Sequence, residues 1–373
     1  MAKPSPPSTA FDQLLQQRLI VCVGCGGVGK TTAAAALALA GALRRRDTAV
    51  ITVDPARRLK DTLGVEALST QPHPIRLGNG AGRLGALAID TKRTFDALIS
   101  RVAPNPEVAQ RILANRLYQQ LSNELGGSTE YMAMEKLHEL IHQERYDLVV
   151  VDTPPSAHAR DLLSAPLRLI DLLASNAVRF LKTPAAMLSG SETGLARMTL
   201  NAIFKGLQRW TGLDVLSDLS DFATNFEGLV SGFHARAAEI DRALREKSTS
   251  FVLVTTAEPD TVDSTIEFYH DLRRDGFPIA GIIANRVYAF PPLAQVRAGK
   301  YPDALRRKLV ANYEDVAALA TRDRHALARL QQANSIPLLA LLPVLDEPPV
   351  SLAALRRFAR LLSASGSDPV PHR

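Results

Sequence analysis

Cysteine is scarce in this chain of 373 residues, which contains only two, and tryptophan occurs once. Two cysteines cannot build the disulfide framework of a small secreted domain, and they are too few for the thiolates that hold an iron–sulfur cluster. Cys22 and Cys25 form a C-x-x-C pair, a spacing typical of redox and metal sites. An extended chain holds two such Cα atoms about 10 Å apart, whereas a disulfide needs less than about 7 Å. We therefore expect Cys22 to be a small core residue and Cys25 a loop residue.

Long apolar runs are also missing, and none reaches the length of about 20 residues that a membrane-spanning helix needs. The first residues, MAKPSPPSTAFDQ, lack the apolar core of a signal peptide. The 44 basic and 38 acidic residues leave a net charge of +6, but they form no run of five or more like charges. We therefore expect a cytoplasmic protein with no nucleic-acid partner, and peripheral attachment to a membrane stays open.

The most informative stretch is 19–32, LIVCVGCGGVGKTT. Its apolar start predicts a buried strand of a parallel sheet, and the alanine-rich stretch from Ala33 to Leu43 predicts a helix. The loop between them matches G-x-x-x-x-G-K-T, the pattern of a phosphate-binding loop. Glycines let the backbone approach a phosphate, and amide groups at a helix N-terminus attract its charge. The predicted phosphate-binding residues are Gly24, Cys25, Gly26, Gly27, Val28, Gly29, Lys30, Thr31 and Thr32.

Within this loop, Lys30 is expected to reach the β- and γ-phosphates of a nucleotide and Thr31 to bind Mg²⁺. Two further predicted strands end on carboxylates, Asp54 after 48–53 and Asp152 after 146–151. Ligands of open α/β sheets bind beyond the carboxyl ends of the strands, so Asp152 is expected to support Mg²⁺. For Asp54 the spacing leaves two alternatives, orientation of a water that attacks the γ-phosphate or a cap for the helix that follows.

Further strands are predicted at 84–90, 250–256, 279–287 and 336–343, and a closing helix at 352–362. Asn285 follows the apolar part of one strand and carries a donor and an acceptor suited to a base edge. His158 belongs either to a segment that senses the γ-phosphate or to a helix surface. The predicted fold class is α/β, a mostly parallel sheet wound by helices with an inserted helical subdomain.

The length of the chain allows one large α/β domain with an insertion or two domains, and the predicted organisation is a single domain over 11–362. Residues 92–145 and 159–246 show helical spacing of apolar residues and are predicted to be helical insertions. The ends, 1–10 and 363–373, are rich in proline and serine and are expected to be disordered.

Five segments in this order resemble the ArsA family of ATPases: GCGGVGKTT, VDPARRLKD, VVVDTPPSAH, TTAEP and IIANRV. That family contains arsenite-efflux ATPases and the ATPases that guide tail-anchored proteins to membranes. The chain looks most similar to bacterial "anion-transporting" members, and the resemblance covers nearly all of it. The resemblance implies a P-loop NTPase fold of the SIMIBI type and Mg²⁺-dependent hydrolysis of ATP. It also implies a homodimer whose ATP cycle acts on a client protein or a membrane partner.

The resemblance assigns roles to individual residues. It implies that Lys30 and Asp54 are catalytic and that Thr31 and Asp152 serve Mg²⁺. The resemblance also implies two switch segments. The first begins with Asp54 and Pro55, and the second begins with Asp152 and includes His158. The implied adenine contacts are Asn285, Arg286 and the loop after Pro343.

Three departures from the family pattern limit what carries over. Cys25 stands where the family usually has a lysine that enters the partner's active site, and Arg57 or Arg58 could replace that charge. Thiols occur only at 22 and 25, so no arsenite site is expected. The zinc-binding C-x-x-C of the family has no counterpart after Val287, so no zinc site is expected.

Two other classes of function stay open. One is a carrier or holdase whose helical block holds a client while bound nucleotide turns over negligibly. The other is a MinD/ParA-like partitioning ATPase, which requires a C-terminal amphipathic membrane helix or a basic DNA-binding patch. The tail, SASGSDPVPHR, is neither.

Overall fold

A computed structural model of the chain describes residues 10–53, 58–115, 118–119, 128–143, 145–174, 215–288, 301–333 and 337–364. Asp54, Pro55 and Arg57 lie outside these ranges, as do the helices expected within 175–214 and most of the two ends. In chain order the described elements are α1 (Ala10–Leu14), β1 (Leu19–Val23), α2 (Lys30–Leu43), β2 (Thr48–Thr52), α3 (Arg58–Leu63), β3 (His73–Ile75), β4 (Leu84–Ala88), α4 (Thr91–Val102), α5 (Pro106–Ala114), α6 (Ser128–His142), β5 (Leu148–Asp152), α7 (Ser156–Ala174), α8 (Val215–Arg245), β6 (Thr249–Thr256), α9 (Pro259–Arg274), β7 (Ile279–Val287), α10 (Asp303–Ala333), β8 (Leu338–Pro343) and α11 (Leu352–Ala364).

The eight strands form one sheet in the order β3-β4-β2-β5-β1-β6-β7-β8. Neighbouring strands are parallel except for the edge pair of β3 and β4. Every residue of β1, β2, β5 and β6 is buried, as expected for a parallel sheet covered on both faces. The fold class is therefore α/β, as the sequence predicts, and β1 lies between β5 and β6 at its centre.

Helix α2 packs directly on the sheet because its residues are small. Half of them are alanines, and every residue from Ala33 to Leu39 is almost fully buried. A Cβ on Gly41 would lie 2.7 Å from Leu148 of β5 and 3.0 Å from Thr48 of β2, so helix and strands approach closely there. This tight packing sets the position of the loop that precedes α2.

The chain divides into two compact units. The first consists of Met1–Ala88, Leu140–Ala159 and Arg245–Arg373 and contains the whole sheet. The second consists of Ile89–Glu139 and Arg160–Leu244, and its described residues are mostly helical. None of the described helices combines the length with the hydrophobicity that a membrane-spanning segment needs.

Several elements differ from the sequence-based expectation. Helix α2 begins at Lys30 rather than at Ala33, because the chain turns into the helix directly after Gly29. Helix α11 continues to Ala364, two residues into the tail that we expected to be disordered. Strand β3 and helix α10 had no counterpart in the predicted elements, whereas α3 agrees with the alternative in which a helix follows Asp54.

Candidate functional site

The glycine-rich loop (residues 24–32) leaves β1 at the centre of the sheet and runs into α2. Gly24 has φ of +153° and Gly29 has φ of +96°, values that residues with a side chain rarely adopt. A Cβ on Gly24 would lie 2.1 Å from the main-chain oxygen of Val254 in β6. The loop therefore starts in close contact with the neighbouring strand, and only glycine fits there.

Lys30 is the first residue of α2, and its side chain is buried beneath the loop. Its Nζ donates hydrogen bonds to the main-chain oxygens of Gly24, at 3.0 Å, and Cys25, at 2.7 Å. The Lys30 ammonium group is thus held inside the curve of the loop. It lies close to the main-chain amide groups at the N-terminus of α2. Such an arrangement attracts an anionic group of the size of a phosphate.

Two side chains at the end of β7 hold the loop from the other side. Asn285 Nδ2 donates to the main-chain oxygen of Val28 over 2.9 Å, and the Arg286 guanidinium donates to the main-chain oxygen of Gly27. Arg286 has φ of +53°, which is uncommon for a residue with a side chain. Its own N–H donates to Asn285 Oδ1 at 3.0 Å. The sequence suggested Asn285 as an adenine contact and the family resemblance added Arg286, but neither gave a sign that these residues bind the loop itself.

Asp152 ends β5 and pairs in register with Cys22 of β1, directly before the loop. Its carboxylate is 1% exposed, and Oδ2 accepts a hydrogen bond from Thr52 Oγ1 at 3.0 Å. Thr153 continues the contact, because its Oγ1 donates to the main-chain oxygen of Cys22 at 2.8 Å. Burial raises the pKa of the Cys22 thiol, the Asp152 carboxylate raises it further, and the Lys30 ammonium opposes both. The Asp152 carboxylate and the Lys30 ammonium therefore both act electrostatically on Cys22, directly before the loop.

A cleft of about 310 Å³ opens over the loop. Its lining includes the predicted residues Thr31 and Thr32 together with residues that the sequence analysis did not assign, namely Asp61, Thr62 and Val350. The complete lining is Gly27, Gly29, Lys30, Thr31, Thr32, Arg58, Asp61, Thr62, Thr153, Pro155 and Val350. All of these residues belong to the unit that contains the sheet.

The other predicted site residues are less closely defined. His158 lies in the first turn of α7. Pro343 ends β8 and pairs with Val287 at the end of β7, so it lies on the same edge of the sheet as Asn285. Cys25 lies half-buried in the loop and Cys22 lies buried in the strand, as expected, and neither forms a disulfide.

The residues present fit a nucleotide with Mg²⁺. The loop amides and Lys30 are suited to phosphate oxygens, and the space beside Gly27 is open, since a Cβ there would meet nothing within 4 Å. Thr31 and Asp152 offer oxygen atoms, which Mg²⁺ prefers as ligands. The C-x-x-C pair differs from these oxygen donors in its surroundings. Cys22 is fully buried in β1, and Cys25 lies in the loop that follows it.

Comparison with known proteins agrees with this geometry. The family model described as anion-transporting ATPase, ArsA_ATPase, matches residues 17–297. The chain is 26% identical over 315 residues to the ATPase GET3 of Malassezia globosa, covering 84% of this chain and 86% of that protein.

Shorter matches join the chain to two further ATPases. It is 31% identical over 158 residues to the ATPase get3 of Aspergillus terreus, covering 42% of this chain and 45% of that protein. It is 32% identical over 146 residues to the ATPase ASNA1 homolog 1 of Paramecium tetraurelia, covering 38% and 42%. With the family model matching most of its length and the nucleotide-type loop at the centre of its sheet, the chain belongs to the ArsA family of anion-transporting ATPases.

Proposed function

We propose that the protein is a Mg²⁺-dependent ATPase that works as a conformational switch, coupling ATP hydrolysis to a client protein or a membrane partner. The observation that carries this proposal is the position of Lys30, whose ammonium binds the Gly24 and Cys25 oxygens beneath an open cleft. The family membership supports the ATPase activity, and the cleft over the glycine-rich loop supports the position of the nucleotide site.

The proposed binding mode follows from the charges of the loop. Its amide groups and Lys30 bind the β- and γ-phosphates, and the Thr31 hydroxyl and Asp152 hold Mg²⁺. When bound, Mg²⁺ neutralises phosphate charge and so favours the charge that develops during phosphoryl transfer. Asn285, Arg286 and the loop after Pro343 are the proposed adenine contacts. In this mode the two residues from β7 hold the loop and border the base at the same time.

In the proposed reaction Asp54 orients a water molecule whose oxygen forms a bond to the γ-phosphorus. The bond from that phosphorus to the bridging oxygen breaks, and ADP leaves with the electron pair. The proton of the water passes to a phosphate oxygen, directly or through Asp54, giving ADP and inorganic phosphate. The chain supplies positioning and charge rather than a covalent intermediate.

The proposed switch consists of the two segments that begin at Asp54 and Asp152. Both follow strands whose carboxyl ends lie on the same edge of the sheet as the loop, and Pro55 and His158 belong to them. Helix α7 starts at Ser156, four residues after Asp152, so a change in the second segment is passed along the chain to α7. We propose that residues 92–145 and 159–246, which the sequence predicts to be helical insertions in a single ATPase domain, carry the client or partner surface. The chain has one such loop, so the proposed homodimer requires two chains, and its proposed location is the cytoplasm with peripheral contact at a membrane.

Steady-state ATP hydrolysis as a function of protein concentration, with and without Mg²⁺, tests this function. Lys30→Ala should lose tight ATP binding, and Asp54→Asn should bind ATP but lose turnover. Asp90→Asn is a matched control because Asp90 caps α4, with its side chain accepting from the Arg93 N–H, and asparagine caps equally well. Specific activity that rises with concentration supports a site completed by the dimer.

Other outcomes would contradict parts of the proposal. Turnover in Asp54→Asn equal to that of the unaltered protein would remove Asp54 from the mechanism. Mg²⁺-independent turnover would contradict the roles of Thr31 and Asp152. Tight ATP binding without any turnover would favour the carrier or holdase instead.

A further inference from the structure

Arg58 is a second cationic residue in the lining of the cleft, at the start of α3 and close to the glycine-rich loop. We propose that Arg58 binds the terminal phosphate of the nucleotide from within the same chain, distinguishing ATP from ADP and stabilising the charge that develops during hydrolysis. This inference rests on the proposed ATPase function and adds a substrate-contacting residue to it.

The hydrogen bonding of the cations around the loop supports this role. Lys30 is held by the main-chain oxygens of Gly24 and Cys25, and Arg286 donates to that of Gly27. Arg58 is exposed, and within the described part of the chain its side chain makes no hydrogen bond and no ion pair. A ligand can therefore bind its guanidinium without breaking a contact to any of the described residues.

The packing of α3 explains why Arg58 lines the cleft. Leu59 and Leu63 are buried in the hydrophobic core together with the residues of α2. Arg58, Asp61 and Thr62 are spaced i, i+3 and i+4, so they share one face of the helix, distinct from that of Leu59 and Leu63, and all three line the cleft. The side of α3 that carries Arg58 is thus set by core packing rather than by a ligand.

The chemistry of the cleft favours an anion with several negative charges. Asp61 is the carboxylate among the lining residues, and it forms no ion pair with Arg58 in the described ranges. A guanidinium presents a planar set of donors that matches two phosphate oxygens at once, which an ammonium cannot do. An arginine that contacts the transferring phosphoryl group strongly accelerates hydrolysis in other nucleotide hydrolases. Arg58 shares the cleft with Lys30 of its own chain, which indicates that the contact is made within one subunit.

The test compares Arg58→Ala with Arg58→Lys and with Lys60→Ala on the full-length protein. Lys60 lies two residues away on the same helix and carries the same charge, but it is not among the residues that line the cleft. The measurements are the dissociation constants for ADP and for a non-hydrolysable ATP analogue, by isothermal titration, and the turnover number. Melting temperatures of all variants report whether they fold.

For Arg58→Ala we expect the affinity for the ATP analogue to fall about tenfold or more, because a charge-assisted hydrogen bond is lost. ADP affinity should change less than about threefold, and turnover should fall by about a thousandfold. The analogue affinity and turnover of Arg58→Lys should lie between those of Arg58→Ala and the unaltered protein, since lysine keeps the charge but loses the paired donors. Lys60→Ala should match the unaltered protein.

Three results would overturn the inference. They are unchanged turnover and analogue affinity in Arg58→Ala, an equal loss for ADP and the analogue, or the same loss in Lys60→Ala. If Arg58→Ala does not fold, Arg58→Lys decides by the same comparison. Failure of the unaltered protein to bind either nucleotide would instead refute the proposed function, so the two failures are distinguishable.

A mixture of Arg58→Ala and Lys30→Ala chains separates action within a chain from action on a partner. If Arg58 acts within its own chain, no site in the mixture has both side chains, and turnover stays at the sum of the two variants. Recovered turnover would mean that Arg58 enters the partner's site, and the within-chain assignment would be wrong.

Discussion

Asn285 Nδ2 donates a hydrogen bond to the main-chain oxygen of Val28 over 2.9 Å, although 257 positions separate the two residues in the sequence. The bond links the carboxyl end of β7 to the loop that opens α2. It holds the loop against β7. It also excludes a side chain at position 29, because a Cβ on Gly29 would lie 2.3 Å from Asn285 Nδ2. Two separate constraints, φ of +96° and this contact, therefore act on Gly29.

Gly29→Ala should abolish tight nucleotide binding and lower the free energy of unfolding by about 1–2 kcal/mol, because alanine is strained in the left-handed region. Isothermal titration with ATP and urea unfolding measure the two effects. The double variant with Asn285→Ala removes the contact but keeps the unfavourable φ, so it should not recover. Full recovery in the double variant would mean that the contact alone excludes a side chain at this position.

Gly24 and Gly27 make a matched pair for a second prediction. A Cβ on Gly24 would lie 2.1 Å from the Val254 oxygen in the middle of the sheet, whereas one on Gly27 would meet nothing within 4 Å. Both have positive φ, +153° and +76°. Gly24→Ala should therefore cost about 3 kcal/mol or more in unfolding free energy, since the backbone must shift. Gly27→Ala should cost about 1 kcal/mol.

Urea unfolding of both variants decides between these values. Equal losses would show that the backbone angle, and not the close approach to β6, determines the need for glycine at both positions. The unaltered protein and a Gly78→Ala variant provide the scale, because Gly78 has φ of +94° and open space around its Cβ, and does not line the cleft.

The sequence was sufficient to predict the central strands and the loop, because each strand is a short apolar run and the loop has a specific pattern. It was not sufficient for β3, where His73, Pro74 and Ile75 form three residues at a sheet edge with no apolar alternation. Helix α10 was missed as well. Among its described side chains the buried ones begin only at Asp323, and those of the earlier part of the helix are half-buried or exposed.

The candidate site was predictable to a similar degree. Parallel strands bring their carboxyl ends to one edge, so the grouping of Asp152 and Asn285 near the loop follows from their positions in the sequence. The bond from Arg286 to Gly27 could not be inferred, since it depends on which strand lies beside β6 and on a positive φ at Arg286. The shared face of Arg58, Asp61 and Thr62 was readable from their spacing once 58–63 is known to be helical.

A buried carboxylate organises the helical unit and yields a third prediction. Glu135 of α6 is 1% exposed, and its two oxygens accept from Arg101 of α4, at 3.0 Å, and from Arg236 of α8, with Arg236 Nε at 3.2 Å. Glu135→Ala leaves Arg236, whose side chain is only 20% exposed, without this partner. Removal of one member of a buried ion pair costs about 3 kcal/mol, so thermal unfolding should begin at a clearly lower temperature.

Glu139→Ala is the control for Glu135→Ala. Glu139 lies one turn along α6, is 17% exposed and pairs with Lys136 and Arg101. Burial tends to raise the pKa of this carboxyl, but the hydrogen bonds and charges of Lys136 and Arg101 outweigh it and lower the pKa overall. Because more water reaches it, its removal should be milder. Equal destabilisation by both variants would mean that the depth of burial does not govern the loss.

Stability at high pH should depend on Cys22. Burial, with the charge of Asp152, raises the pKa of this thiol well above its ordinary value of 9.0. Above pH 9 the unfolded chain releases the thiol proton and the folded chain keeps it, so the folded state binds more protons. The free energy of unfolding must then fall as pH rises, by up to about 1.4 kcal/mol per pH unit from this group. Below pH 8 both states keep the proton, and Cys22 adds no pH dependence.

Urea unfolding of the unaltered protein, Cys22→Ala and Cys22→Val between pH 7 and 10.5 tests this dependence. The two variants differ in how they fill the space at position 22, so their stabilities at pH 7 should differ. Neither has a thiol at position 22, so above pH 9 both should lose stability less steeply than the unaltered protein, and by the same amount per pH unit. Tyrosines also titrate in this range, but they are common to all three proteins and cancel in the comparison. If all three curves run parallel, the Cys22 proton is not coupled to folding, and the thiol must be reached by water in the folded protein.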